Sequence, residues 1–237
     1  MKISMIKSAS LIATLMLAAT TQAQASIIIS EVSPTGSSAT GTYAADWFEL
    51  TNTDLVNAVD ITSWKMDDNS NALASAVALR GVTSIAPGQS VVFLETDATG
   101  TTDATKDASF KSAWFGANIP TGFTIGNYGG SGVGLGAAVA GDAVNIFNAS
   151  GTAVASVSWG TTATTVGVSY DNAAGLTSTI SQASAVGVNG AFTSVTGGEI
   201  GSPGLITTSA VPVPAAVWLF LTGLMGFLGL NRKRKAA

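Results

Sequence analysis

Residues 46–53 read DWFELTNT, and this stretch decides the fold class. Successive side chains of an extended chain point to opposite faces, so Trp47 and Glu49 share one side while Phe48 and Leu50 share the other. Aromatic and apolar residues at this spacing predict a strand over Trp47–Thr51. Asp46, just ahead of the Trp47 ring, can accept backbone N–H groups at the strand end, which marks it as a folding residue.

Outward from this strand the same texture recurs. Short β-branched and aromatic runs are separated by clusters of Gly, Asn, Asp and Ser, the pattern of an all-β sandwich. Strands are expected over 27–32, 61–66, 77–79 and 90–95. The last is fed by a turn at Ile85-Ala86-Pro87-Gly88, with Pro at i+1 and Gly at i+2. One short helix is expected over 102–114. The glycine-rich stretch 122–141 reads mainly as loop, 142–147 and 152–159 as a hairpin, and 166–170 and 191–195 as the last strands.

Both ends differ from this body. Lys2 and Lys7, the apolar run Leu11–Ala19 and the small residues Ala23 and Ala25 before Ser26 form the three parts of a signal peptide over 1–25. At the other end, Val211, Pro212, Val213, Pro214 and Ala215 precede a chargeless run to Leu230, and Arg232, Lys233, Arg234 and Lys235 follow. By the positive-inside rule these four cations hold that end in the cytoplasm, which puts the rest of the protein outside. Sixteen residues rise only about 24 Å as a helix against the roughly 30 Å of a hydrocarbon core, so the run suits a temporary anchor better than a permanent one. The expected division is a signal peptide (1–25), a β-sandwich (26–205), a linker with the proline motif (206–214), a transmembrane sorting helix (215–231) and a basic tail (232–237).

Composition narrows the function. All fourteen acidic residues but only four of the ten basic ones, Lys65, Arg80, Lys106 and Lys111, lie in the body, which carries a net charge of −10. Such a surface repels phosphate, which argues against nucleic acid as a partner. Without cysteine there are no disulfides, thiolate sites or cysteine nucleophiles, and without histidine the commonest general base and metal ligand are gone. Carboxylate mechanisms survive.

Two resemblances follow from these residues. The segment 211–235 resembles the PEP-CTERM sorting tails in their V-P-x-P-A variant. That resemblance implies an exosortase and the secretion machinery as partners, transient residence in the inner membrane, and delivery to the cell surface or extracellular matrix. The body resembles the lamin tail domain, an immunoglobulin-like β-sandwich. Its motifs here are IIISEVSPTGS from Ile27, DWFELTNT, VDITSWKMDD from Val59, IAPGQSVVF from Ile85, GDAVNIFNASG from Gly141 and GSPG at 201–204. Ser63 stands where the family pattern has glycine, leaving the turn geometry there open. The expected function is a non-enzymatic binding or structural module, with matrix polysaccharide or surface proteins as candidate partners.

Few residues are candidates for chemistry. Glu31 and Glu49 admit two readings, a paired site for acid–base catalysis or metal, or solvent-face and loop-capping carboxylates, and the sequence favours the second. Calcium is the one cofactor weighed against none, with Asp97, Asp103 and Asp107 as candidate ligands, because hard cations need only oxygen. The loop Asp67-Asp68-Asn69-Ser70-Asn71 fails as an EF-hand, having Ala72 and Ala78 where Gly and Glu are needed. Gly132–Ala137 has the spacing G-x-G-x-x-A but no carboxylate between Asp142 and Asp171 to complete a dinucleotide site. Trp47 and Trp64 are expected in the core, whereas an exposed tryptophan ring would offer a surface for stacking on sugar.

Overall fold

The computed structural model describes residues 27–35, 43–136, 141–160 and 165–205. The signal cleavage residues Ala23, Ala25 and Ser26, the motif Val211–Ala215, the expected membrane helix and Arg232–Lys235 lie outside them. Among the described residues no helix is long and apolar enough to cross a membrane.

Two five-stranded sheets face each other. The first runs β11-β1-β2-β7-β8, from β1 (Ile27–Ser33), β2 (Trp47–Asn52), β7 (Ser90–Thr96), β8 (Ile125–Gly129) and β11 (Tyr170–Asp171). The second runs β12-β10-β9-β4-β5, from β4 (Lys65–Asp67), β5 (Val77–Ala78), β9 (Asp142–Phe147), β10 (Ala153–Trp159) and β12 (Thr179–Ile180). Two small ribbons complete the body, β3 (Val59–Asp60) with β6 (Ser84–Ile85) and β13 (Phe192–Thr193) with β14 (Ile200–Gly201). Among the described residues the expected all-β architecture with one helix is what folds, the helix α1 spanning Asp103–Phe115.

Alternation along β2 divides its residues between two cores. Phe48 and Leu50 join Ile29, Val32, Phe93, Met66, Ile146 and Trp159 between the sheets. Trp47 faces the other way and packs with Val92, Leu94 and the buried side of α1, where Phe110 and Trp114 meet the Trp47 ring edge-on at 5.8 and 5.9 Å.

Two expectations need correction, and the glycine-rich stretch, whose described residues lie mostly outside regular elements as expected, also holds β8, which pairs parallel to β7 after the α1 crossover. Its glycines serve close packing. A Cβ on Gly126 would sit 2.5 Å from the Phe93 ring, and one on Gly129 would sit 2.9 Å from the Ala98 backbone. The strand expected over 61–66 is instead a turn followed by β4, with the Trp64 N–H donating to the Ile61 carbonyl at 3.0 Å. Likewise, only Tyr170 of 166–170 belongs to a strand. The Pro87-Gly88 turn forms as expected, closed by Gln89 N–H to Ala86 O at 3.1 Å with Gly88 at φ 68°.

Ser63, at the third position of the 61–64 turn, has φ 62°. A side chain in this left-handed region costs roughly 1–2 kcal/mol, a cost glycine does not carry, although glycine loses more entropy on folding. Ser63→Gly is therefore expected to stabilise the body by up to about 1 kcal/mol, raising its thermal midpoint by a few degrees.

Candidate functional site

Strict alternation along β1 would put residues 27, 29, 31 and 33 on one face, with Glu31 in the inter-sheet core. A bulge prevents this. The register shifts between Ile29, opposite Leu50, and Glu31, opposite Glu49, which leaves Ser30 as the extra residue. Beyond the bulge Val32 points into the core, and Glu31 turns to the outer face, directly across from Glu49. The freed carbonyls of the bulge are captured from the C-terminal part of the chain. Asn172 Nδ2 donates to Ile29 O at 2.6 Å, and Asn172 N–H donates to Ser30 O at 2.8 Å.

Both glutamates are fully buried, 0% exposed. The expectation of solvent-face carboxylates is thus wrong, and of the two readings only the capping role survives in modified form. The segment Gly201–Gly204 lies over them. Glu31 Oε1 accepts the Ser202 N–H at 2.8 Å and the Ser169 hydroxyl, and Oε2 accepts the Ser202 hydroxyl at 3.1 Å. Glu49 Oε1 accepts the Ser30 hydroxyl at 2.8 Å, and Oε2 accepts the Gly204 N–H. Thr51 extends the network, bonding Ser30 Oγ at 2.7 Å and Ser90 Oγ at 2.6 Å. Gly201 admits no side chain, since a Cβ there would lie 2.6 Å from Glu31 Oε1 and 3.1 Å from the Trp114 ring. Three stretches far apart in sequence, 27–33, 46–53 and 201–204, thus meet at one pair of carboxylates.

Burial lifts both carboxyls above their usual range, and for Glu49 the neighbouring Glu31 adds to the effect, while the hydrogen bonds described above oppose it. Burial and the neighbouring acid both oppose ionisation of the two carboxyls together. Neither side chain is exposed to solvent.

The calcium candidates are engaged elsewhere. Asp97 gathers its own loop, accepting Thr102 N–H at 2.6 Å and Thr99 N–H at 2.9 Å, and these bonds with the Thr102 and Thr99 hydroxyls hold its carboxyl well below the usual range. Asp103 pairs with Arg80, Nε to Oδ2 at 2.8 Å, and Arg80 also reaches Thr96 Oγ1 and Asp97 O, which fixes the start of α1 to the end of β7. Asp107 accepts from Asn127 Nδ2 at 2.8 Å. Among the described residues no three acidic side chains are grouped to hold a metal ion. Asp67, in the failed EF-hand loop, takes Ala72 N–H and the Ser70 and Ser75 hydroxyls and closes that turn. Trp47, Trp64, Trp114 and Trp159 are all buried, so none offers a ring for stacking on sugar.

One cluster has no forerunner in the sequence reading. Asp46 is pushed up to about 8, first by burial and then by Glu95 and Asp142, and the buried Tyr128 hydroxyl feels the same three acids without a hydrogen-bond partner among the described residues. Alternating patterns do not reveal it, because Asp142 comes from the opposite sheet.

These raised pKa values fix a pH dependence. A buried acid whose folded pKa exceeds its unfolded value binds its proton more tightly in the native state, so stability is fully present below the unfolded value and declines as pH rises through the folded one. For Glu31, Glu49 and Asp46 that window runs from 4.5 or below to about 8. The thermal midpoint is expected to fall between pH 5 and pH 8, on the order of 4–8 °C for a loss of about 2 kcal/mol. Glu49→Gln, which mimics the protonated acid, should reduce that slope and match or exceed the wild type in stability at pH 8.

Comparison with known proteins agrees with this architecture. The lamin tail domain model matches residues 20–161, and the GSPG contact segment lies beyond the match. No curated protein matches the chain. Since the match covers more than half of its length, the chain belongs to the lamin tail domain family.

Proposed function

We propose that the protein is an exported, non-enzymatic lamin-tail-domain module that binds or builds structure at the cell surface or in the extracellular matrix. The observation that carries this reading is the sealing of Glu31 and Glu49, which turns the body's most plausible catalytic pair into a clasp for its own C-terminal segment. The family is an immunoglobulin-like, non-enzymatic domain, which supports the same conclusion.

The route is read from the two ends of the sequence. A signal peptide with cleavage before Ser26 exports the body, and the apolar run after Pro214 holds it in the inner membrane with Arg232–Lys235 on the cytoplasmic side. An exosortase then cuts near Val211–Ala215 and releases it. The net charge of −10 suits a soluble surface outside the cell and disfavours nucleic acid.

Mass spectrometry of the protein from its native host tests this route. The released fraction is expected to begin at Ser26 and to end near Pro212–Ala215. Intact residues 216–237 in every cell fraction would make the protein a permanent membrane resident and refute the processing step.

A further inference from the structure

Leu55 and Val56 are 74% and 81% exposed, the two most exposed large apolar side chains among the described residues. They are adjacent, at the tip of the loop between β2 and β3. The tip is braced, because Asp54 accepts the Val56 N–H at 2.7 Å and the Asn57 N–H at 3.1 Å, and the Gly88 N–H donates to Asp54 O. Leu55 lies against Gly88, where a Cβ would meet its Cδ2 at 3.3 Å.

Gly88 also lines a groove with Gln89, Pro120, Phe123, Gly204 and Leu205. Ile119, which precedes Pro120 in the chain, is 47% exposed, and Leu205 is itself 40% exposed. Leu205 thus lies on the same groove as Gly88, against which Leu55 rests. Nine residues, 206–214, separate Leu205 from the apolar run that starts at Ala215. Fully extended, they span at most about 30 Å.

Asp54 and Asp60, the carboxylates nearest this tip in the chain, are turned onto the backbone of their own loop, Asp54 onto the Val56 and Asn57 N–H groups and Asp60 onto the Thr62 N–H.

We propose that the end of the sandwich carrying Leu55, Val56, Ile119 and Leu205 docks on the lipid bilayer while the tail is anchored there. The inference rests on the reading of 215–231 as a membrane segment. A short tether keeps the local concentration of bilayer high, so a small apolar patch suffices without strong affinity of its own. Docking places Val211–Ala215 at the membrane surface, where a membrane-bound protease works, and cleavage releases the body because the tether is gone.

The absence of cysteine allows a single fluorophore to be placed at will. Full-length Val56→Cys, Ala104→Cys and Leu221→Cys variants, each labelled with bimane, are reconstituted in phosphatidylcholine–phosphatidylglycerol vesicles containing nitroxide-labelled lipid. Quenching at 221 and at 56, with at least twofold less at the exposed helix position 104, is the expected result. Quenching at 221 with no more at 56 than at 104 overturns the docking and leaves the anchored tail standing. No quenching at 221 overturns the anchor and the docking together. Equal quenching at all three positions also contradicts an oriented patch.

Discussion

Two carboxyl groups opposite each other on neighbouring strands, both out of water, constrain the whole body. Buried acids are tolerated when they are hydrogen-bonded, and here residues distant in sequence supply the donors. Ser202 and Gly204 supply backbone donors, and Ser30, Ser169 and Ser202 supply hydroxyls. Removing the covering segment would leave two carboxylates facing each other over an apolar surface that includes Trp114. The C-terminal stretch is thus part of the fold although the family match ends at residue 161.

The bulge at Ser30 is the device that makes this pairing possible. It changes the phase of β1 in mid-strand, so that Ile29 and Val32 both face the inter-sheet core while Glu31 joins Glu49 outside. Asn172 then satisfies the carbonyls that the bulge frees. The same outer face carries Trp47 under α1, so one side of a single sheet is closed by a helix at one place and by an irregular polar segment at another.

Much of this was legible in the sequence, and the limits have physical causes. Period-2 alternation revealed β1, β2, β7, β9 and β10, because each is long and lies on a large core. The motifs around Glu31, Trp47 and Gly201 were visible as a family pattern, but their meeting was not, since strand alternation cannot register an inserted residue. β8 was hidden because its glycines, read as loop signals, are there to let Phe93 and Ala98 approach. Ser63 stands where the family pattern has glycine and adopts a positive φ all the same. The bonds of the candidate calcium ligands were not legible either, since sequence does not show that Asp97 gathers a threonine-rich loop or that Asp103 meets Arg80.

The central claim, that Glu31 and Glu49 make residues 201–204 an integral part of the sandwich, is tested most directly by native-state hydrogen exchange at the Ser202 and Gly204 amides. If the claim holds, both exchange only through global opening, with protection equal to that of Val91–Leu94 in the central strand β7. Exchange orders of magnitude faster than in β7, as in an unattached surface loop, would contradict it.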